Sequence, residues 1–90
     1  MDKEVQKCVD ELMTSTGVVG VLCADKRGMC LTSQGLANPD YSGSLTSLTQ
    51  LAATIEPGKG DPVILFENHG SQCLIHQNAG MTLAVYKTNG

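Results

Sequence analysis

The strongest constraint on the fold is the run Val18-Val19-Gly20-Val21-Leu22-Cys23-Ala24, the longest in the chain without a charge or a strongly hydrogen-bonding side chain. Its length and β-branched content read as a strand. It does not alternate apolar with polar residues, as a strand with one wet face does, so both of its faces are expected to be covered. Asp25-Lys26-Arg27-Gly28 follows as a polar turn, with Gly where positive φ is cheap. Residues 29–33 are then expected to run back as the partner strand. A buried hairpin this early implies one central sheet with helices on both sides.

Ninety residues make one domain, spanning 1–90, with a modest core. Only 3% of residues are aromatic, with one Phe, two Tyr and no Trp. So few large side chains leave the domain marginal alone, and a partner is expected to complete it. The six basic residues, Lys3, Lys7, Lys26, Arg27, Lys59 and Lys87, are scattered and the net charge is −3. No basic stripe exists for nucleic acid, and no polybasic patch for an anionic membrane. No apolar leader, spanning segment or lipidation box is read, so direct membrane contact is not expected. Cys8, Cys23, Cys30 and Cys73 form no C-x-x-C pair and read as reduced, buried packing residues of a cytoplasmic protein.

Residues 2–13 predict an amphipathic helix, because Val5, Cys8, Val9, Leu12 and Met13 share one face. Asp2 and Glu4 suit its positive end. After the hairpin, Asn38-Pro39 signals a second helix start, with Asn as N-cap and Pro at the first position. Tyr41, Leu45, Leu48, Ala52 and Ile55, widened by Leu51, form its apolar stripe to about residue 55. The opposite face, Ser42, Ser44, Thr46, Ser47, Thr49 and Gln50, is polar yet uncharged. It reads either as a contact surface for close approach or as a plain solvated face. Residues 56–62 form a loop of breakers including Glu56 and Lys59.

Three short strands are expected next. Residues 63–67 are an apolar run, turned by Asn68-His69-Gly70-Ser71. Residues 72–77 place Cys73, Ile75 and Gln77 on one face and Leu74 and His76 on the other. Asn78-Ala79-Gly80 reads as a three-residue turn. Residues 81–86 close the set, and a polar tail follows from Lys87. The order α-β-β-α-β-β-β, with hairpin connections, gives an α+β fold (α/β in looser use): a five-stranded, mainly antiparallel sheet with a helix on each face. Pro62 at the head of Val63-Ile64-Leu65-Phe66 marks an edge strand, since Pro cannot donate to a ladder. An apolar edge without inward charge needs a partner or a cover. Pairing between two similar domains would extend the sheet.

The search for chemistry is nearly empty. There is no P-loop and no nucleophile elbow, and Gly17-x-x-Gly20 opens a strand rather than joining strand to helix. His69, Cys73 and His76 have metal-like spacing, but a hairpin puts the first in a turn and the others on opposite faces, so they cannot converge on zinc. Cys23 lies in the buried run, where a thiol is inert. Cys30 with His76 would need a geometry that the sequence does not supply. Asp25 and Asp61 read as turn residues. No catalytic residue, cofactor or metal is expected.

Val19-Gly20-Val21-Leu22-Cys23 with Asp25 and Gly28 carries a family resemblance. It continues through Gly35, Leu48, Gln50, Ala52, Ala53, Asp61-Pro62-Val63, Glu67, Ile75, Gly80, Thr82, Ala84-Val85 and Lys87. Over almost its whole length the chain resembles the roadblock-like Ragulator subunits of the hepatitis B virus X-interacting protein family. It departs from their pattern in the first helix, over residues 40–46 and over residues 67–73. The resemblance implies a roadblock/longin-like fold and side-by-side pairing, through the strand at 63–66 and the helix at 41–55. The implied interface residues are Tyr41, Leu45, Leu48, Ile55, Val63, Ile64, Leu65 and Phe66. The implied partners are another roadblock-like subunit in a heterodimer (or a second copy in isolation), a lipidated anchor subunit and Rag GTPases. The implied role is a non-catalytic scaffold that supports Rag GTPase recruitment and nucleotide exchange, and amino-acid-dependent TOR complex 1 activation at the lysosome or late endosome. Two other readings stay open: a roadblock-type module of another assembly, such as a dynein light chain or a GTPase regulator, and a small thiol enzyme using Cys30 or Cys73.

Overall fold

A computed structural model describes residues 3–55, 57–58 and 60–88. The expected places of Asp2, Glu56, Lys59 and the last two residues of the tail lie outside them. The elements are α1 (Lys3–Met13), β1 (Val18–Ala24), β2 (Cys30–Gly35), a 3₁₀ turn (Pro39–Tyr41), α2 (Ser42–Ile55), β3 (Val63–Asn68), β4 (Ser71–Asn78) and β5 (Met81–Thr88). The strands form one sheet in the order β2-β1-β5-β4-β3, and every neighbouring pair is antiparallel. The expected element order and the helix on each face are both present.

Gly20 to Ala24 of β1 are buried, as an apolar run without alternation requires. The rest of the hairpin is not. β2 has a neighbour on one side only and carries no buried residue, so the expectation of a hairpin buried throughout holds for its first strand alone. Asp25 shapes the turn between them: its Oδ1 accepts from the backbone N–H of Arg27 at 2.9 Å and of Met29 at 3.0 Å. Gly28 adopts φ +88°, and a Cβ there would lie 3.1 Å from the Gly43 Cα of α2. At the far end of β2, Gly35 takes φ +66°, and a Cβ would drive into the Val19 carbonyl oxygen.

α1 covers β1 and β2 on one face of the sheet. Val9, Val21 and Cys23 are buried there, with Val5, Leu12, Met13, Val18, Met81 and Leu83 packed around them. Amides tie this helix to the sheet edge. Gln34 Nε2 donates to Asp10 Oδ1 at 2.6 Å, and Gln6 Nε2 donates to the same oxygen at 2.8 Å. These donors hold the Asp10 carboxyl below the usual carboxylate range, Gln34 first and Gln6 second. Cys8 differs from its expected burial: it is exposed, because the helix turns Val9 rather than Cys8 into the sheet.

α2 crosses the opposite face over β1, β5, β4 and β3. The core beneath it is Leu22, Ala24, Ala37, Ile75 and Ala84. Asn38 caps the 3₁₀ turn rather than α2 itself, its Oδ1 accepting from the Asp40 N–H at 2.9 Å. The turn then runs directly into α2. Both C-terminal hairpins close on two residues. Ala79 and Gly80 have φ 53° and 81°, so the predicted three-residue turn is a two-residue turn with both centres left-handed.

Candidate interaction face

α2 carries no charge in its 14 residues, and its orientation on the sheet decides what it can do. The sequence stripe Tyr41-Leu45-Leu48-Ala52-Ile55 does not point straight down. Ser42, Thr46 and Thr49 do, at 7%, 3% and 0% exposure. The expectation that these three belong to an outward polar face is therefore corrected, while Ser44, Ser47 and Gln50 are exposed as expected. The reason is close packing. Ala24, Thr82 and Ala84 lie on this face of the sheet, so small side chains meet small side chains. Ser42 Oγ donates to the Gly28 carbonyl at 2.7 Å and pins the helix start to the β1–β2 turn. Thr49 Oγ1 is satisfied by the Thr46 carbonyl at 2.7 Å, whereas the Thr46 and Thr82 hydroxyls have no hydrogen-bond partner among the described residues.

This seating turns the apolar stripe sideways. Leu45 and Leu48 are half-buried against the core, and Tyr41, Leu51 and Ile55 stand out at 57%, 62% and 75% exposure. Beside them lies the free edge of the sheet. Pro62 leads into β3, which is outermost as expected, and the strand has no buried residue. Ile64 packs half-buried against the core under α2, and Phe66 pairs across to Cys73, which pairs to Tyr86. Phe66, Cys73 and Tyr86, with Leu36 and Val19, line a cleft of about 350 Å³. A second cleft, of about 370 Å³, lies between the end of α2 and the start of β3, lined by Ala52, Ala53, Ile55, Asp61 and Val63.

Six of the eight expected interface residues, Tyr41, Leu45, Leu48, Ile55, Ile64 and Phe66, thus share the α2 side of the sheet. Val63 and Leu65 do not. Strand alternation sends them to the opposite face with Leu74, where they are exposed at 61%, 51% and 39%. Leu51 joins the face although it was read only as widening the stripe. Leu36, 77% exposed, lines the first cleft, and no periodic signal marks it because it lies between elements. Burying a Leu, Ile or Phe side chain contributes roughly 1.5–3 kcal/mol. This face can therefore drive association, whereas the Ser/Thr underside is already occupied by the sheet.

The chemistry-bearing residues do not assemble. Cys73 and His76 project to opposite faces of β4, and His69 is in the turn before it. Burial pushes the Cys73 thiol up, as it does Cys23, whose value is raised further by Cys30 and Cys8. Burial likewise raises the Tyr86 hydroxyl, beside Cys73. Both thiols therefore stay protonated and poorly nucleophilic near neutral pH. Among the described residues no three His, Cys, Asp or Glu groups are arranged to hold a metal ion. No helix among them is long and apolar enough to cross a membrane.

This architecture has close structural relatives. It superposes on Myxococcus xanthus MglB with a TM-score of 0.81 at 15% identity, over 97% of this chain and 77% of that one. A Roadblock/LC7 domain from Streptomyces avermitilis gives 0.72 at 20% identity, over 90% and 75%. The fold is thus roadblock-like. Sequence relatives are more specific. The chain is 39% identical over 89 residues to the Ragulator complex protein LAMTOR5 homolog of Ixodes scapularis, covering 98% of this chain and 97% of that protein. It is 36% identical over 88 residues to the homolog of Nematostella vectensis, covering 97% of each. The family model described as Ragulator complex protein LAMTOR5 matches residues 1–87. On a roadblock fold, and with relatives matched nearly end to end, the chain belongs to the LAMTOR5 family of Ragulator complex proteins.

Proposed function

We propose that the protein is a non-catalytic scaffold subunit of a Ragulator complex, a single domain over residues 1–90 that works by pairing with another roadblock-like subunit. The observation that carries this reading is the uncharged flank of α2 standing exposed beside the free β3 edge. The edge offers unpaired backbone groups and the flank offers apolar area, so one partner can extend the sheet and cover the helix together. Tyr41, Leu45, Leu48, Leu51, Ile55, Ile64 and Phe66 form the seam. Val63 and Leu65 flank the same edge on its other side.

In this role the pair sits at the lysosomal or late endosomal surface through a lipidated anchor subunit. There it supports Rag GTPase recruitment and nucleotide exchange, and amino-acid-dependent activation of TOR complex 1. Family membership supports the assembly, and the dispersal of the chemistry-bearing residues, with the Cys23 and Cys73 thiols pushed up by burial, supports a role without catalysis. The test is affinity purification of the tagged full chain from cells. Recovery of Rag GTPases with other Ragulator subunits is the expected result. Recovery of a dynein intermediate chain in their place overturns it in favour of a roadblock module of another assembly.

A further inference from the structure

The charge of this protein is unevenly placed. Residues 38–70, which hold α2 and β3, contain four acidic residues, Asp40, Glu56, Asp61 and Glu67, against one basic residue, Lys59. The rest of the chain carries five of each sign, so the whole net charge of −3 resides in the pairing segment. Asp61 and Glu67 are exposed and bracket β3, one just before it and one near its end. Asp61 also lines the cleft against the end of α2.

We propose that this face takes a roadblock-like chain whose own rim is rich in Lys and Arg, and disfavours a second copy of itself. The inference rests on the pairing face proposed above and adds the chemistry of the partner. Two copies meeting edge to edge about a two-fold axis run antiparallel. In the register centred on Ile64, Glu67 of one copy lies opposite Asp61 of the second copy, and symmetry repeats the contact. Among the described residues the seam of α2 and β3 carries no basic side chain to compensate. A rim of like charge acts against self-pairing, and a basic rim on another chain steers and selects the partner.

The test needs only this chain. Its Asp61→Lys/Glu67→Lys variant serves as the basic-rimmed probe, and sedimentation velocity reads pairing of the full-length proteins. At about 50 mM sodium chloride, where screening is weak, the mixed pair is expected to form about tenfold more tightly than either chain pairs with itself. At about 500 mM the preference shrinks to roughly two- to threefold. Asp61→Lys alone makes the symmetric contact complementary, so that variant pairs with itself about tenfold more tightly than the native chain at low salt. Native self-pairing as tight as the mixed pair, unchanged by salt, overturns the charge inference and makes a second copy the occupant. Phe66→Asp in both chains separates the two claims. Loss of mixed pairing in that variant supports the face, and its survival overturns the face itself.

Discussion

Two buried hydroxyls and one alanine mark where this chain departs from local rules. Thr46 and Thr82 lie between α2 and the sheet at 3% and 0% exposure, each without a hydrogen-bond partner among the described residues. A buried polar group left unpaired costs about 1–3 kcal/mol, so removing the hydroxyl while keeping the shape is favourable. Thr82→Val is expected to raise stability by about 1 kcal/mol, which moves the thermal midpoint up by about 4–8 °C in a domain of this size. Thr46→Val is expected to act in the same direction, since valine and threonine have similar helix propensities. Calorimetry of the two variants checks both. Ala79 is the described non-glycine residue held at positive φ, at 53°. That conformation costs an L-residue with a Cβ about 1–2 kcal/mol, and asparagine tolerates it best. Ala79→Asn should therefore raise the urea midpoint, with a gain of about 0.5–1 kcal/mol.

At the scale of elements, seating matters more than composition. Leu51 and Ile64 are both apolar and both belong to the proposed seam, yet they answer to different neighbours. Leu51 is 62% exposed on the outer flank of α2, whereas Ile64 packs against the core. Leu51→Asp is expected to weaken pairing about a hundredfold while changing urea stability by no more than about 1 kcal/mol, from helix propensity and lost packing. Ile64→Asp is expected to lose about 3 kcal/mol or more of stability, because it places a charge against the buried cluster. Equal loss of fold in both would show that the flank of α2 is structural.

The same contrast explains what the sequence could show. The unalternating run of β1, the two-residue period of β4 and Pro62 before β3 each reflect a local cause, and all three elements are where those causes put them. The stripe on α2 was equally legible, but not its direction. Leucines are expected to face the core, and here Ser42, Thr46 and Thr49 are the buried residues of α2 while Leu45 and Leu48 are half-buried beside them. That seating depends on Ala24, Ala84 and the Gly28–Gly43 approach, contacts between residues far apart in sequence that no single window contains. The split of β3 between two faces follows from strand alternation and is legible in the sequence, so residues 63–66 form two patches rather than one.

Across the whole molecule, burial falls from β1 through β5 and β4 to β3, and β2 at the opposite edge has no buried residue. β1 is buried over five consecutive positions, β5 at three, β4 at Ile75 alone and β3 at none. Opening free energies follow buried contacts and the number of neighbouring strands. Native-state hydrogen exchange should therefore be ordered. Amides of β1 paired to β5 exchange only through global unfolding, and those of β3 paired to β4 exchange through a far cheaper local opening. A partner seated on the edge opposes every opening that destroys its seat. Outward N–H groups of β3 gain an acceptor, so with the basic-rimmed variant added at about a hundred times its dissociation constant their exchange is expected to slow about a hundredfold. The β3–β4 amides gain the same linkage, about 2.7 kcal/mol, because opening β3 removes the edge that binds, and β1 gains it because global unfolding does so too. A partner seated elsewhere would protect β1 by that amount and leave the local opening of β3 unchanged. Equal gains in β3 and β1, with the outward β3 amides newly protected, therefore mean that the partner completes the sheet at β3.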